Sequence, residues 1–267
     1  MIGRRTLLAA GGAAGLALAA GAAARSAALP KARFFMIVSG PPDGPVAQSW
    51  AMLVGELEKR GVPATLVPSI YPNASFTPNE TRAAAIVAAL EQAPEPAAIV
   101  GVSNEGNVLP LVAAAHPVRR LVYVNACVPQ PQKAFIEVCL TQPVVVPGSL
   151  LDNLIQGAKP VTDEFLRLRS DPHATDAQRQ TLRDHIQASP YASAMKGFYE
   201  VCPLERLPEV DNIVVSGSAD DQINPAWEQS TARRVFRVEP VIVAGAGHAN
   251  VVAQYAAQVA DAAVRGL

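Results

Sequence analysis

Cysteine, histidine and charge are all scarce in this chain, and each shortage excludes something. Three cysteines, Cys127, Cys139 and Cys202, are too few for a disulfide framework. An oxidising compartment permits a single bridge, for which Cys139 and Cys202 are the candidate pair; the other reading is buried free thiols. Four histidines stand with no CxxC or HExxH spacing, so no metal site is expected and no cofactor is implied. Only 17% of residues are charged and the formal net charge is -1. No basic run with interleaved aromatics occurs, which argues against nucleic acid and anionic lipid as partners. After the first thirty residues, no run approaches the ~20 apolar residues that span a bilayer.

Apolar residues are abundant. Half of the 267 residues are hydrophobic, with a mean hydropathy of +0.18, enough for a large core and contrary to disorder. Part of this excess lies in residues 1–29, where Arg4 and Arg5 precede a Leu/Ala/Gly stretch that ends in small residues. That order is the pattern of an export signal, and Arg4-Arg5-Thr6-Leu7-Leu8 resembles the twin-arginine kind. The expected partner of this segment is the twin-arginine export machinery. The expected mature protein is cleaved, periplasmic or secreted in a bacterium, and without stable membrane association. Asn73-Ala74-Ser75 and Asn79-Glu80-Thr81 match the glycosylation pattern and are read as chance.

From residue 30 onward, short apolar runs alternate with helical periodicity. Strands are expected at 34–40, within PATLVPS, at AAIVGVS, RLVYVNACVP, NIVVSGS and EPVIVAG. Helices are expected over 46–60, with Trp50, Leu53, Val54 and Leu57 inward, and over 79–92, with Asn79 as cap. Others are expected through NVLPLVAAAH, interrupted by Pro110, through PAWEQSTARRV, and over about 249–265. This alternation predicts an α/β domain at 30–267, with a mostly parallel sheet covered by helices on both faces. Between about 130 and 211 the rhythm changes, with helices near 161–170 and 176–187. That stretch reads as a small cap inserted over the carboxyl edge of the sheet, where ligand crevices lie.

Three residues stand just past three of these strands: Ser103 after AAIVGV, Asp220 after NIVVSGSA and His248 after PVIVAGAG. Parallel strands bring all three to one edge. A serine hydroxyl is a poor nucleophile until an imidazole takes its proton, and a carboxylate then orients the imidazole. Taken singly, each has a plain reading: Ser103 as a helix cap, Asp220 and Asp221 as an Asx-turn, His248 as a loop histidine. His116, His173 and His185 are weaker candidates, at a helix end and in charged cap segments.

Together with their surroundings these residues resemble the α/β-hydrolase superfamily, nearest its methylesterase and hydroxynitrile-lyase-like branch. FFMIVSGPPDGPVAQSW resembles the first strand, glycine loop and Trp-bearing helix, and AIVGVSNEGN the nucleophile elbow. RLVYVNACVPQP resembles the following strand, GSADDQINPAW the acid loop and AGAGHANV the histidine loop. The resemblance implies an α/β-hydrolase fold in which Ser103 is the nucleophile, His248 the base and Asp220, rather than Asp221, the acid. It implies an oxyanion hole built on the N–H of Asn104 and on the glycine loop. The expected substrate is a small apolar ester, cleaved through an acyl-enzyme.

Two departures from the pattern are plain. The elbow reads Gly101-Val102-Ser103-Asn104-Glu105, with Glu105 where the family has its second glycine and Gly106 one position later. Glu105 is expected to turn away from the tight contact or to reach into the pocket and bind substrate. The glycine loop reads Ser39-Gly40-Pro41-Pro42, and proline has no N–H to donate. Gly40 is the expected substitute donor, with Asp43 the other candidate, and Ser39 and Pro41 are expected to line the pocket. Two rival readings keep the same scaffold. One is a hydroxynitrile-lyase-like enzyme, which would want a cap lysine from among Lys133, Lys159 and Lys196. The other is a ligand-binding homologue without catalysis.

Overall fold

The computed structural model describes residues 34–39, 45–69, 77–92, 96–142, 145–147, 163, 167, 174–188, 196–248 and 250–267. The expected export segment 1–29, most of the helix expected at 161–170, and Gly40 and Pro41 lie outside them. Among the described residues six strands form one sheet: β1 (Phe34–Ser39), β2 (Ala64–Ser69), β3 (Ala98–Ser103), β4 (Arg120–Ala126), β5 (Asp211–Gly217) and β6 (Val241–Val243). Their order is β2-β1-β3-β4-β5-β6 and every pairing is parallel. The chain first winds outward from β1 to β2 and then returns to β3 on the other side. The two connections therefore leave the sheet in opposite directions at the carboxyl ends of β1 and β3. Such a reversal opens a crevice there, and Ser103 closes β3.

β4 is buried at all seven residues, RLVYVNA, as expected of a central parallel strand covered on both faces. Alternate residues divide between two cores. Val100, Val122, Val124 and Val215 pack with Trp50, Leu53 and Leu57 of α1 (Pro45–Lys59) and with Val259 and Ala260 of α7 (Ala256–Val264). Ile99, Leu121, Tyr123 and Val214 pack the other way. Their partners are Ile86 and Leu90 of α2 (Asn79–Leu90), Val112 of α3 (Leu109–Ala115) and Trp227 of α6 (Pro225–Thr231). One polar anchor closes the amino end of the sheet. Buried Arg120 donates from Nε to Asp211 at 2.6 Å and from Nη1 to the Ala263 carbonyl at 2.7 Å.

Between β4 and β5 lie α4 (Phe135–Thr141), α5 (Asp176–Ala188) and a 3-10 turn at Lys196–Tyr199. That last turn comes back against the residues that follow Ser103. A Cβ on Gly197 would stand 2.9 Å from Asn104 Nδ2, so glycine permits the close approach.

Four expected features come out differently. Pro110 does not interrupt a helix: Asn104–Asn107 forms a 3-10 turn and Pro110 sits at the start of α3, where its missing N–H removes no hydrogen bond. Asn79 does not cap α2, because Pro78 occupies the N-cap and the Asn79 side chain is used elsewhere. The final helix starts at Ala256 rather than near 249, since Asn250 is committed to the histidine loop. The Cys139–Cys202 bridge does not form. All three cysteines are free and buried, and burial pushes their thiols upward, Cys139 to about 12, so none is a thiolate at neutral pH.

Candidate active site

Ser103 leaves the sheet with φ 54° and ψ -127°, a conformation that non-glycine residues rarely adopt. Backbone held in such a region is over-determined by its surroundings and belongs to functional turns. Small residues make the turn possible. A Cβ on Gly101 would lie 3.1 Å from Leu109, and one on Gly106 only 2.1 Å from the Cys127 carbonyl oxygen. Gly106 is thus the residue that lets the helix pass over the end of β4. Glu105, at the place of the family's second glycine, is free of that contact.

The buried Glu105 side chain neither opens the turn nor serves the pocket as a substrate ligand, which corrects the second expectation for it. It turns inward to an ion pair with the Arg82 guanidinium, and the Arg82 side chain is fully buried. Arg82 Nη1 also donates to Asn79 Oδ1 at 2.9 Å. Asn79 Nδ2 in turn donates to the Gly197 carbonyl at 3.2 Å, and the Asn79 N–H to Glu200 at 2.6 Å. A polar chain therefore runs from the Ser103 turn through α2 to the Lys196–Tyr199 turn. Burial raises the Glu200 carboxyl, against the lowering effect of the Asn79 N–H.

The acid and histidine loops converge on Ser103. His248 Nε2 lies 2.9 Å from Ser103 Oγ, and His248 Nδ1 lies 2.9 and 3.1 Å from the two Asp220 oxygens. Asp220 Oδ1 also accepts the N–H groups of Gln222 at 2.7 Å and Ile223 at 2.9 Å, so an Asx-type turn and the histidine contact share one carboxylate. Asp220 is buried and Asp221 is exposed. The histidine loop is stitched down by Gly247 N–H to Asn250 Oδ1 at 2.8 Å and Gly245 N–H to Ser218 Oγ at 2.9 Å. With Nδ1 donating to the carboxylate, Nε2 carries the lone pair that faces the serine hydroxyl.

The remaining expected site residues divide. Asn104 opens the 3-10 turn directly after Ser103, with its side-chain oxygen accepting from Asn107 Nδ2 at 2.9 Å. Ser39 ends β1, opposite Ser69 of β2. Gly40 and Pro41, the other half of the expected oxyanion loop, lie outside the described residues, as do His173 and Lys159. His116 ends α3 away from the three, and burial lowers its imidazole. A cavity of about 280 Å³ is lined by Asn79, Glu80, Asn107, Lys133, Glu200 and Cys202 among others, and none of Ser103, Asp220 and His248 lines it. Among the described residues no cluster of His, Cys, Asp and Glu is suited to a metal ion.

Two residues near the three have no counterpart in the sequence reading. Asn125, fully buried and with φ 43°, spans from β4 to both loops. Glu228 of α6 is fully buried, accepts the Ala126 N–H at 2.8 Å, and is pushed up to about 8 by burial. An asparagine inside an apolar strand and a carboxylate in the first turn of a helix are the only hints of either.

A family model for the alpha/beta hydrolase family matches residues 61–262. The chain belongs to the alpha/beta hydrolase family. No curated protein is similar enough in sequence to match it. Among solved structures, the chain is similar to an extracellular α/β-hydrolase from a Paenibacillus species. Identity is 16% and the TM-score 0.60, over 87% of this chain and 98% of that one. It is similar to a pyrethroid hydrolase from Sphingobium faniae JZ-2, with 18% identity and a TM-score of 0.56 over 88% and 99% of the two chains. Polyneuridine aldehyde esterase is 12% identical, with a TM-score of 0.60 over 86% and 98%. At such identities these likenesses speak for the fold. Among the described residues no helix is long and apolar enough to cross a membrane.

Proposed function

We propose that this protein is a serine hydrolase that cleaves a small, fairly apolar ester through an acyl-enzyme. The observation that carries the reading is the 2.9 Å approach of His248 Nε2 to Ser103 Oγ, with Asp220 on the far nitrogen of the same ring. Ser103 Oγ attacks the ester carbonyl carbon while its proton passes to His248 Nε2. The negative charge that develops on the carbonyl oxygen is met by the backbone N–H of Asn104 and by a donor of the glycine loop, for which Gly40 is the candidate. The C–O bond to the alcohol then breaks, and the alcohol leaves with the proton held by His248. Water repeats the sequence on the acyl-serine, yielding the carboxylic acid and free Ser103. Asp220 keeps the imidazole in the required tautomer and stabilises its charged form throughout.

The choice of an ester rather than another bond is supported by the resemblance to methylesterases and by structural neighbours that include an esterase and a pyrethroid hydrolase. The cap assignment for about 130–211 and export through the Arg4-Arg5 segment belong to the same reading. A panel of p-nitrophenyl esters of increasing acyl length tests it. The expected result is turnover with a burst of one p-nitrophenol per enzyme when deacylation is slow, absent in Ser103→Ala. Turnover retained by Ser103→Ala, or a folded wild-type protein that cleaves none of the panel and accumulates no acyl adduct, overturns it.

A further inference from the structure

We propose that Asn125 is a positioning residue that locks the three segments bearing Ser103, Asp220 and His248 into one arrangement. The proposal rests on the reading of those three as the reacting groups. Asn125 lies at the carboxyl end of the central strand β4. The register along β3 and β4 runs Val102↔Val124 and then Ser103↔Ala126, so Asn125 is an extra residue opposite the step where Ser103 leaves the sheet. Pairing resumes beyond it, with the Cys127 N–H donating to the Ser103 carbonyl at 3.0 Å. A one-residue bulge of this kind bends the strand and re-aims its side chains, and bulges concentrate beside active sites.

The side chain freed by the bulge reaches both of the other segments. Asn125 Oδ1 accepts the N–H of Gly217 at 2.6 Å, and Asn125 Nδ2 donates to the carbonyl of Gly247 at 3.1 Å. Gly217 ends β5, three residues before Asp220, and Gly247 directly precedes His248. The fit is close. A Cβ on Gly217 would lie 3.0 Å from Asn125 Nδ2 and 2.4 Å from the Ala246 carbonyl oxygen, so no larger residue fits between clamp and loop. One partner is a donor and the other an acceptor, and the side-chain amide supplies both complements at once. Loss of the side chain leaves a buried N–H and a buried carbonyl without partners, and the loops must then shift to meet water.

A plainer role for Asn125 is tolerance of its positive φ, which asparagine shares with glycine. Asn125→Gly separates the two, because it keeps the backbone at ease while deleting both hydrogen bonds. Asn125→Asp, assayed at a pH where the carboxylate is ionised, keeps the shape and the acceptor but removes the donor to Gly247. For both variants the clamp predicts kcat on the best ester reduced about 10²-fold, the cost of a misplacement near 1 Å, with KM within about twofold. It also predicts a shifted Nδ1–H resonance of the His248 ring in NMR spectra, reporting an altered Asp220 contact. Should Asn125→Gly be too unstable for assay, Asn125→Asp, which retains the bond to Gly217, decides the question alone. Wild-type kcat together with an unmoved His248 resonance in either folded variant overturns the proposal. If the wild-type protein turns over no ester, it is the functional reading that fails. The clamp then stands or falls on the His248 resonance.

Discussion

The carboxylate of Glu105, two residues past Ser103, ends on the guanidinium of Arg82 in α2, and both side chains are shut away from solvent. Such a pair stabilises little against an apolar alternative, but removal of one partner leaves an uncompensated buried charge. Glu105→Ala, and equally Glu105→Gly, which restores the family's elbow pattern, should therefore lower stability by about 3–5 kcal/mol. The double variant Arg82→Met with Glu105→Leu should recover most of that loss. Urea unfolding of the single and double variants measures the coupling, and additive losses would show that the pair does not act as a unit.

Glycines in this chain differ in sign when replaced. Gly106→Ala would bring a Cβ to 2.1 Å from the Cys127 carbonyl oxygen, backbone that has little room to yield. A loss of about 3 kcal/mol or more is expected, together with slowed reaction at Ser103. Gly55 lies inside α1 with nothing within 4 Å of a Cβ, so Gly55→Ala should raise stability by about 0.5–1 kcal/mol. Thermal melts of the two variants, moving in opposite directions from wild type, are the check.

Glu228 carries a pH dependence whose sign follows from its burial. Its carboxyl titrates near 8 when folded, against about 4.5 in an exposed chain. Between those values the folded protein holds a proton that the unfolded chain lacks. Stability from this group is therefore complete below about 4.5 and falls as pH rises through 8, by at most about 1.4 kcal/mol per pH unit. Glu228→Gln keeps the acceptor for the Ala126 N–H and removes the titration. Its melting temperature relative to wild type should climb between pH 5 and pH 8, and a difference that stays constant would contradict the assignment.

Asp220→Asn tests the orienting carboxylate. The fold should persist, since an amide oxygen still accepts the N–H groups of Gln222 and Ile223. The ring of His248 would then favour the wrong tautomer, and kcat should fall by up to about 10⁴-fold. Asp221→Asn, at an exposed neighbour, should leave kcat within about twofold.

The sheet was legible because buried parallel strands leave continuous apolar runs such as AAIVGV and RLVYV, whose ends can be read within a residue or two. Ser103, Asp220 and His248 were legible for the same reason, each lying just past such a run. Contacts made across the fold leave no such trace. Nothing near Glu105 announces Arg82, twenty-three positions earlier in a different helix, and nothing in VYVNA tells a bulge from an ordinary strand end. Pro110 misled because the same residue that breaks a helix interior is welcome at its first turn.

Reaction of the intact protein with a fluorophosphonate is the most direct test of the central claim, that Ser103 is a nucleophile activated by His248. The account predicts a single adduct by mass, mapped to Ser103, absent in Ser103→Ala and slowed at least about 10²-fold in His248→Ala. A folded wild-type protein that takes up no label, or a label carried on another residue and indifferent to His248, would contradict it.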